Sequence, residues 1–313
     1  MAAEQLAGSS ALTGGGLHRA AALRELLAEP GIHIMPGVHD ALSARLAEQV
    51  GFRVINIGGA MVANSILGLP DVGLASLTEI TEQIRRVTAA TTIPSIADAD
   101  TGFGNAVNVM RTVREFEAAG AAGMYMEDQV FPKKCGHFAG KDVISAAEMA
   151  GKIDAAAQAR RDDDFVIIAR TDARAVLGFD EAVERSNIYA EAGADMIFFE
   201  APHSVEELRK VPPLVSVPVL ANMISGGGLT PLLSATELGE MGFKLVNFGA
   251  ASQQAAMAAT LGLYQELIET GTTAGYLDRM LSFDERQARI GLTEVIELEH
   301  RFANKESGAL RPK

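Results

Sequence analysis

The sequence predicts an α/β fold: a closed (β/α)8 barrel of the TIM type with an additional C-terminal helix. Three observations lead there. Eight short apolar runs are each followed by helical periodicity within about 250 residues, the rhythm of parallel strands joined by right-handed crossovers. Four helix–strand junctions share a phrase ending in glycine: Glu48-x-x-Gly51, Glu117-x-x-Gly120, Glu191-x-Gly193 and Glu240-x-Gly242. Each puts a helix-stopping glycine just ahead of an apolar run. No Gly-x-Gly-x-x-Gly follows the first run, so an open doubly wound sheet is the weaker alternative.

In order, residues 18–28 read as a helix with Leu23, Leu26 and Leu27 on one side, 32–35 as a strand and 40–49 as a helix. A strand at 54–57 is followed by a long connection to Gly73. The helix at 77–89 opens with Ser76 and Glu79, spaced to satisfy each other's backbone N–H as a capping box. Strand 93–98, helix 106–119 and strand 124–126 follow, then a long loop, 129–143. Helix 146–159 is boxed by Ser145 and Glu148. Strand 165–169, helix 180–192, strand 196–199 and a helix boxed by Ser204 and Glu207 come next. Strand 218–221, a helix boxed by Ser234 and Glu237, strand 245–248 and helix 253–269 close the barrel. Ser282 and Glu285 box a last helix running to about residue 302. Its Ile290, Leu292, Val295, Ile296 and Leu298 are more apolar surface than one neighbour covers. Such a helix lies either across its own barrel or, swapped, on a second subunit. The expected organisation is a flexible leader at 1–16, a catalytic barrel at 17–275, and a helical extension with a polar tail at 276–313.

Composition narrows the function. Hydrophobic residues are 48% of the 313, enough for a full core, and the net charge is −13 with no basic block. That argues against nucleic acid and against anionic membrane surfaces. No apolar run reaches the ~18 residues of a membrane span. The leader lacks the basic start and apolar stretch of a signal peptide. A single cysteine excludes an internal disulfide and fits a reducing, cytoplasmic setting.

In such a barrel the chemistry lies at the C-terminal ends of the strands. Those ends carry Asn56, Asp98, Asp100, Glu127, Arg170, Glu200 and Asn222. Asp98 and Asp100, two apart on a strand, point to one face. Their mutual repulsion is relieved by a hard divalent cation, Mg²⁺ or Mn²⁺. The plain alternative makes one Asp a helix cap and the other a solvated acid, but capping does not explain Arg and Glu at strand ends. The loop from Phe131 to Lys141 holds the only cysteine, Cys135, after Lys133 and Lys134 and before Gly136 and His137. Positive neighbours lower a thiol's pKa. Glycines 136 and 140 let the loop move and let backbone N–H groups approach an anion. A mobile loop over a barrel mouth shields a carbanion-like species from water. A lone cysteine is otherwise a small buried hydrophobe.

These motifs resemble the isocitrate lyase / phosphoenolpyruvate mutase superfamily. The resemblance rests on Lys133-Lys-Cys-Gly-His137, Leu67-Gly-Leu-Pro-Asp71, Asp98-Ala-Asp100 with Gly102-Phe-Gly104, Glu127-Asp-Gln129, Ala169-Arg-Thr-Asp172 and Ala221-Asn222, and spans about residues 36–301. The cysteine loop is similar to that of the lyase branch. The long insertion of large isocitrate lyases is missing, as in 2-methylisocitrate and 2,3-dimethylmalate lyases. Glu200-Ala-Pro202, Ala221-Asn-Met-Ile224, Thr230-Pro231 and Phe138-Ala-Gly-Lys141 look like the members that cleave alkylmalates and oxaloacetate.

The resemblance implies Mg²⁺ on Asp98, Asp100 and Glu127, directly or through water, with Asp71 supporting. It implies Cys135, Arg170 and His137 as catalytic residues, Cys135 being the general acid. Asp71, Gly136, His137, Arg170, Glu200 and Asn222 would line the substrate. The reaction would cleave a 2-hydroxy di- or tricarboxylate into a 2-keto acid such as pyruvate and a carboxylate. A homo-oligomer, a tetramer built as a dimer of dimers, is also implied. One departure stands out. Where the superfamily commonly reads Tyr-x-Ser-Gly, this chain has Asn56-Ile-Gly58-Gly59, leaving backbone N–H groups of Gly58 and Gly59 to bind a carboxylate or keto oxygen. Three alternatives stay open: an oxaloacetate acetylhydrolase, a phosphonate P–C enzyme, and a non-catalytic carboxylate-binding homologue.

Overall fold

The computed structural model describes residues 18–138 and 140–303. The expected leader at 1–16 and the polar tail at 304–313 lie outside the described residues. In chain order the elements are α1 (Arg19–Ala28), β1 (His33–Val38), α2 (Ala41–Val50), β2 (Ile55–Ile57), α3 (Gly59–Leu67), α4 (Leu77–Ala90), β3 (Ser95–Asp98), α5 (Ala106–Ala118), β4 (Gly123–Glu127), α6 (Ala146–Ala159), β5 (Val166–Thr171), α7 (Ala173–Val176), α8 (Phe179–Glu191), β6 (Met196–Phe199), α9 (Val205–Leu214), β7 (Val219–Asn222), α10 (Ala235–Met241), β8 (Leu245–Phe248), α11 (Ala251–Thr270), α12 (Phe283–Arg289) and α13 (Leu292–Ala303). The strands close a barrel in sequence order, β1 pairing in parallel with both β2 and β8.

Alternation along each strand divides the core into two layers. Met35, Val54, Ile96, Tyr125, Ile168, Phe198, Leu220 and Leu245 pack together inside the barrel. Their neighbours Ile55, Ala97, Met124, Ile167, Ile197, Val219 and Val246 pack outward against the helices. The glycines of the repeated phrase, Gly51, Gly120, Gly193 and Gly242, all take positive φ and stop their helices as expected. Ser76, Ser234 and Ser282 form full capping boxes. Ser204 caps its helix, but Glu207 does not return the bond; it pairs with Arg174 at 2.7 Å.

Two expectations change. The connection after β2 contains α3, which begins Gly-Gly and has no side-chain cap to announce it. The C-terminal helix is two helices, α12 and α13, divided at Gly291 with φ 84. This extension touches the chain's own barrel, where Gln49 Nε2 donates to the Arg289 carbonyl at 2.7 Å. Helix α13 buries no residue, and Leu292, Val295 and Ile296 are exposed along it. Among the described residues no helix is long and apolar enough to cross a membrane.

Candidate active site

Parity builds the site. Two residues beyond each inward core residue, one layer nearer the mouth, come Asn56 after Val54, Asp98 after Ile96, Glu127 after Tyr125, Arg170 after Ile168, Glu200 after Phe198, Asn222 after Leu220 and Asn247 after Leu245. A strand whose side chains alternate has to aim these groups into the same mouth.

On the β2–β4 side the acids gather. Asp98 accepts the Gly59 N–H on Oδ2 and the Asp100 N–H on Oδ1, both at 2.9 Å. A Cβ at residue 59 would stand 3.0 Å from carboxylate oxygens of both aspartates and would push on them. Asp100 is not the next rung of the strand, as expected from spacing; it is in a left-handed turn at φ 45. The acids meet because the chain turns. Lys133 reaches into them from the cysteine loop, its Nζ 2.5 Å from Asp71 Oδ1 and 2.7 Å from Asp100 Oδ1. Burial works against its charge, but the fields of Asp100, Glu127, Asp98 and Asp71 raise the Lys133 pKa well above the ordinary lysine range. Burial, with Asp98 and Asp71 nearby, pushes Asp100 up to about 7 against the pull of Lys133. Burial likewise raises Glu127 against the opposing Arg170.

The donor set suits a hard cation. Glu127 is fully buried, and its Oε1 has no hydrogen-bond partner among the described residues. Buried acids crowded together are a setting in which added positive charge is favourable. Among the described residues, however, no three His, Cys, Asp or Glu side chains converge as a ready cage.

On the β5–β7 side the groups are paired. Arg170 Nη1 is 3.0 Å from Glu127 Oε2, while Nε and Nη2 meet Asp172 at 2.9 and 3.2 Å. Asp172 also accepts Lys141 Nζ at 2.7 Å. Beneath it, Asp128 accepts the Asp172 N–H, the Thr171 hydroxyl and the Tyr189 hydroxyl at 2.8–2.9 Å, fixing the turn that carries the pair. Burial works against Glu200, but Arg170, His137 and Lys141 outweigh it and bring its pKa down to about 2. His137 Nδ1 accepts the Leu229 N–H at 2.9 Å, which leaves the ring proton on Nε2, 3.0 Å from Glu200 Oε1.

The cysteine loop lies over this pair. A Cβ at residue 136 would fall 2.2 Å from Glu200 Oε1 and 2.5 Å from Arg170 Nη2, so only glycine lets the loop backbone come so close. Cys135, next door, is partly buried in the fields of Glu200, Arg170 and Asp71. The expectation of a lowered thiol pKa is corrected. Burial pushes the thiol up, and Glu200 and Asp71 add to it. The lysines that suggested otherwise point elsewhere: Lys133 into the acids, and Lys134 Nζ to the Gly140 carbonyl at 2.7 Å.

Asp98, Asp100, Glu127, Arg170, Glu200, Asn222, Gly136 and His137, all expected at one mouth, come together there. Gly58 lies beside them as the N-cap of α3, near the Tyr125 hydroxyl. Lys133, Asp172 and Asn247 also belong to the site, although the sequence did not point to them. The signal for Asn247 was the same parity, a polar residue two after Leu245, hidden because Phe248 prolongs the apolar run.

The profile of the family described as phosphoenolpyruvate phosphomutase matches residues 23–268. The chain is 46% identical over 287 residues to 2,3-dimethylmalate lyase of Eubacterium barkeri, covering 92% of this chain and 99% of that one. It is 46% identical over 269 residues to 2-methylisocitrate lyase of Aeropyrum pernix, covering 86% of each. A solved oxaloacetate acetylhydrolase with 3,3-difluorooxalacetate bound superposes with a TM-score of 0.86 at 33% identity, over 91% of this chain and 97% of that one. With this barrel, this mouth and these relatives, the chain belongs to the isocitrate lyase / phosphoenolpyruvate mutase superfamily and falls with its carbon–carbon lyases.

Proposed function

We propose that this enzyme cleaves the C2–C3 bond of a 2-hydroxy dicarboxylate, a 2-alkylmalate such as 2,3-dimethylmalate, into a 2-keto acid and a carboxylate. The observation that carries this reading is the packing of Gly136 against Arg170 and Glu200, which sets Cys135 at the mouth beside the acids.

Asp98, Asp100 and Glu127, with Asp71 behind them, would hold Mg²⁺ or Mn²⁺. That ion, when bound, supplies a Lewis acid for the substrate's 2-oxygen. Arg170 has Nε and Nη2 on Asp172 and Nη1 on Glu127; Nη2 also faces Gly136, where its remaining N–H would meet a substrate carboxylate. Glu200 is an anion and so does not itself hold a substrate carboxylate; it fixes the His137 ring through Nε2 and orients Asn222, whose second N–H would hold one. Once the 2-hydroxyl has lost its proton, the C2–C3 electron pair passes to C3 and the C2 oxygen becomes the keto oxygen. Cys135 Sγ–H then protonates C3, and the thiolate regains its proton from solvent. A thiol with a raised pKa stays protonated at neutral pH, as a general acid must be. The backbone N–H of His137 faces the sulfur and favours the thiolate left behind.

Likeness to oxaloacetate acetylhydrolase supports a second reading on the same residues, hydrolysis of oxaloacetate to oxalate and acetate. Incubation with Mg²⁺ and a panel of 2-alkylmalates, 2-methylisocitrate, isocitrate and oxaloacetate separates them. Pyruvate from an alkylmalate supports the lyase; oxalate with acetate supports the hydrolase. The exposed apolar residues of α13 support contact with a second copy of the chain; a tetramer of paired dimers is what the family resemblance implies.

A further inference from the structure

We infer that Asn247 is a positioning residue for this site, the middle member of a one-way relay of amides that ends on Glu200. Its kinetic consequence rests on the lyase reading; its structural consequence does not.

Asn222 Nδ2 is 3.3 Å from Glu200 Oε2. Asn247 Nδ2 donates to Asn222 Oδ1 at 3.0 Å, and Asn56 Nδ2 donates to Asn247 Oδ1 at 3.1 Å. The three side chains come from β7, β8 and β2. Asn247 and Asn56 meet across β1 because the inward residue of β1 between them is Gly37, aligned with Asn56 while Met35 aligns with Asn247. All of this lies in the floor of the mouth, with Asn56 and Asn247 buried.

The direction of the relay is forced from one end. Glu200 is held ionised, so it only accepts. Asn222 must turn its NH₂ toward Glu200, which turns its carbonyl toward Asn247. Asn247 must answer with its NH₂, which turns its own carbonyl toward Asn56. Asn56 Oδ1 is then left over, and it has no hydrogen-bond partner among the described residues. Every amide has one orientation, and Asn247 is the link that transmits it.

The consequence falls on Asn222. In this orientation its NH₂ keeps a second N–H for a substrate carboxylate. Flipped, it would present a carbonyl oxygen, which repels one. Asn56, at a position where the superfamily commonly has tyrosine, therefore acts through the relay rather than on the substrate.

Asn247→Asp tests this with almost no change of shape. An aspartate cannot donate to Asn222 Oδ1, so Asn222 has to turn over. The expected result is a roughly ten- to hundredfold rise in KM for the alkylmalate that the parent cleaves, with kcat changed less than about threefold, the pattern of a lost binding contact. Asn247→Ala, which removes both contacts and adds no charge, should raise KM in the same direction. A kcat loss at unchanged KM in both variants would overturn the inference. A second arm needs no substrate. Asn247→Asp should lower the thermal midpoint of the parent, but lower it less in a Glu200→Gln background, where the glutamine NH₂ can donate to a turned-over Asn222. Equal losses in the two backgrounds would overturn the relay. A parent that cleaves no 2-hydroxy acid would sink the lyase reading alone, and the thermal cycle would still decide the relay.

Discussion

Asp172 grips Arg170 edge-on, with Oδ2 2.9 Å from Nε and Oδ1 3.2 Å from Nη2, although the two residues are only two apart in the chain. The arginine is the penultimate residue of β5 and the aspartate follows the strand's last residue, Thr171, so the chain's turn there folds one side chain back on the other. Both are buried, and Lys141 shares the same carboxylate. Asp172 thus holds the guanidinium at one angle and ties the cysteine loop's far end to it.

Removing that charge while keeping the shape should be expensive. Asp172→Asn leaves Arg170 and Lys141 short of a buried counter-charge, a loss on the order of 3–5 kcal/mol. The thermal midpoint should fall by several degrees, and kcat/KM roughly tenfold or more. Arg170→Lys should not restore turnover, because an ammonium lacks the two-edged fork. Parent-like kcat/KM in Asp172→Asn would contradict this role.

Lys133 is a fixed cation among the acids proposed to hold a divalent ion. Lys133→Met should therefore lower the thermal midpoint without added metal. Mg²⁺ should raise the midpoint of the variant more than that of the parent, since ligand binding stabilises by mass action. Equal shifts on Mg²⁺ addition would show that the lysine and the ion do not share the carboxylates.

The depressed pKa of Glu200, about 2 in the folded protein, fixes a pH window. The folded chain binds this proton more weakly than the unfolded chain does. The stabilisation is therefore fully present above the ordinary carboxylate range and lost as pH falls toward 2. Urea midpoints of the parent and Glu200→Gln should differ most above about pH 5 and converge as pH drops to 3. A constant difference across that range would contradict the ionised state.

Much of this was readable from the chain because it depends on local rules. Glycine stops at Gly51 and Gly242, serine boxes at Ser76 and Ser234, and strand parity at Ile96–Asp98 or Ile168–Arg170 involve few residues each. What escaped depends on distant groups. Lys133 stands two residues from Cys135, yet its partners are Asp71 and Asp100 on other loops. Sequence proximity assigned its charge to the thiol, whereas burial decides the thiol. Asn247 gains its role only through Asn222 and Asn56 on other strands. Helix α3 was missed because its glycine start offers no polar cap.

Cys135 is the group proposed to deliver a proton to C3 at the mouth of the barrel. Steady-state cleavage of 2,3-dimethylmalate with Mg²⁺, followed by coupled reduction of pyruvate, tests it in Cys135→Ser. The expected result is a loss of roughly 10²–10⁴-fold in kcat, with the thermal midpoint and its response to Mg²⁺ unchanged. A kcat within a few fold of the parent would contradict it.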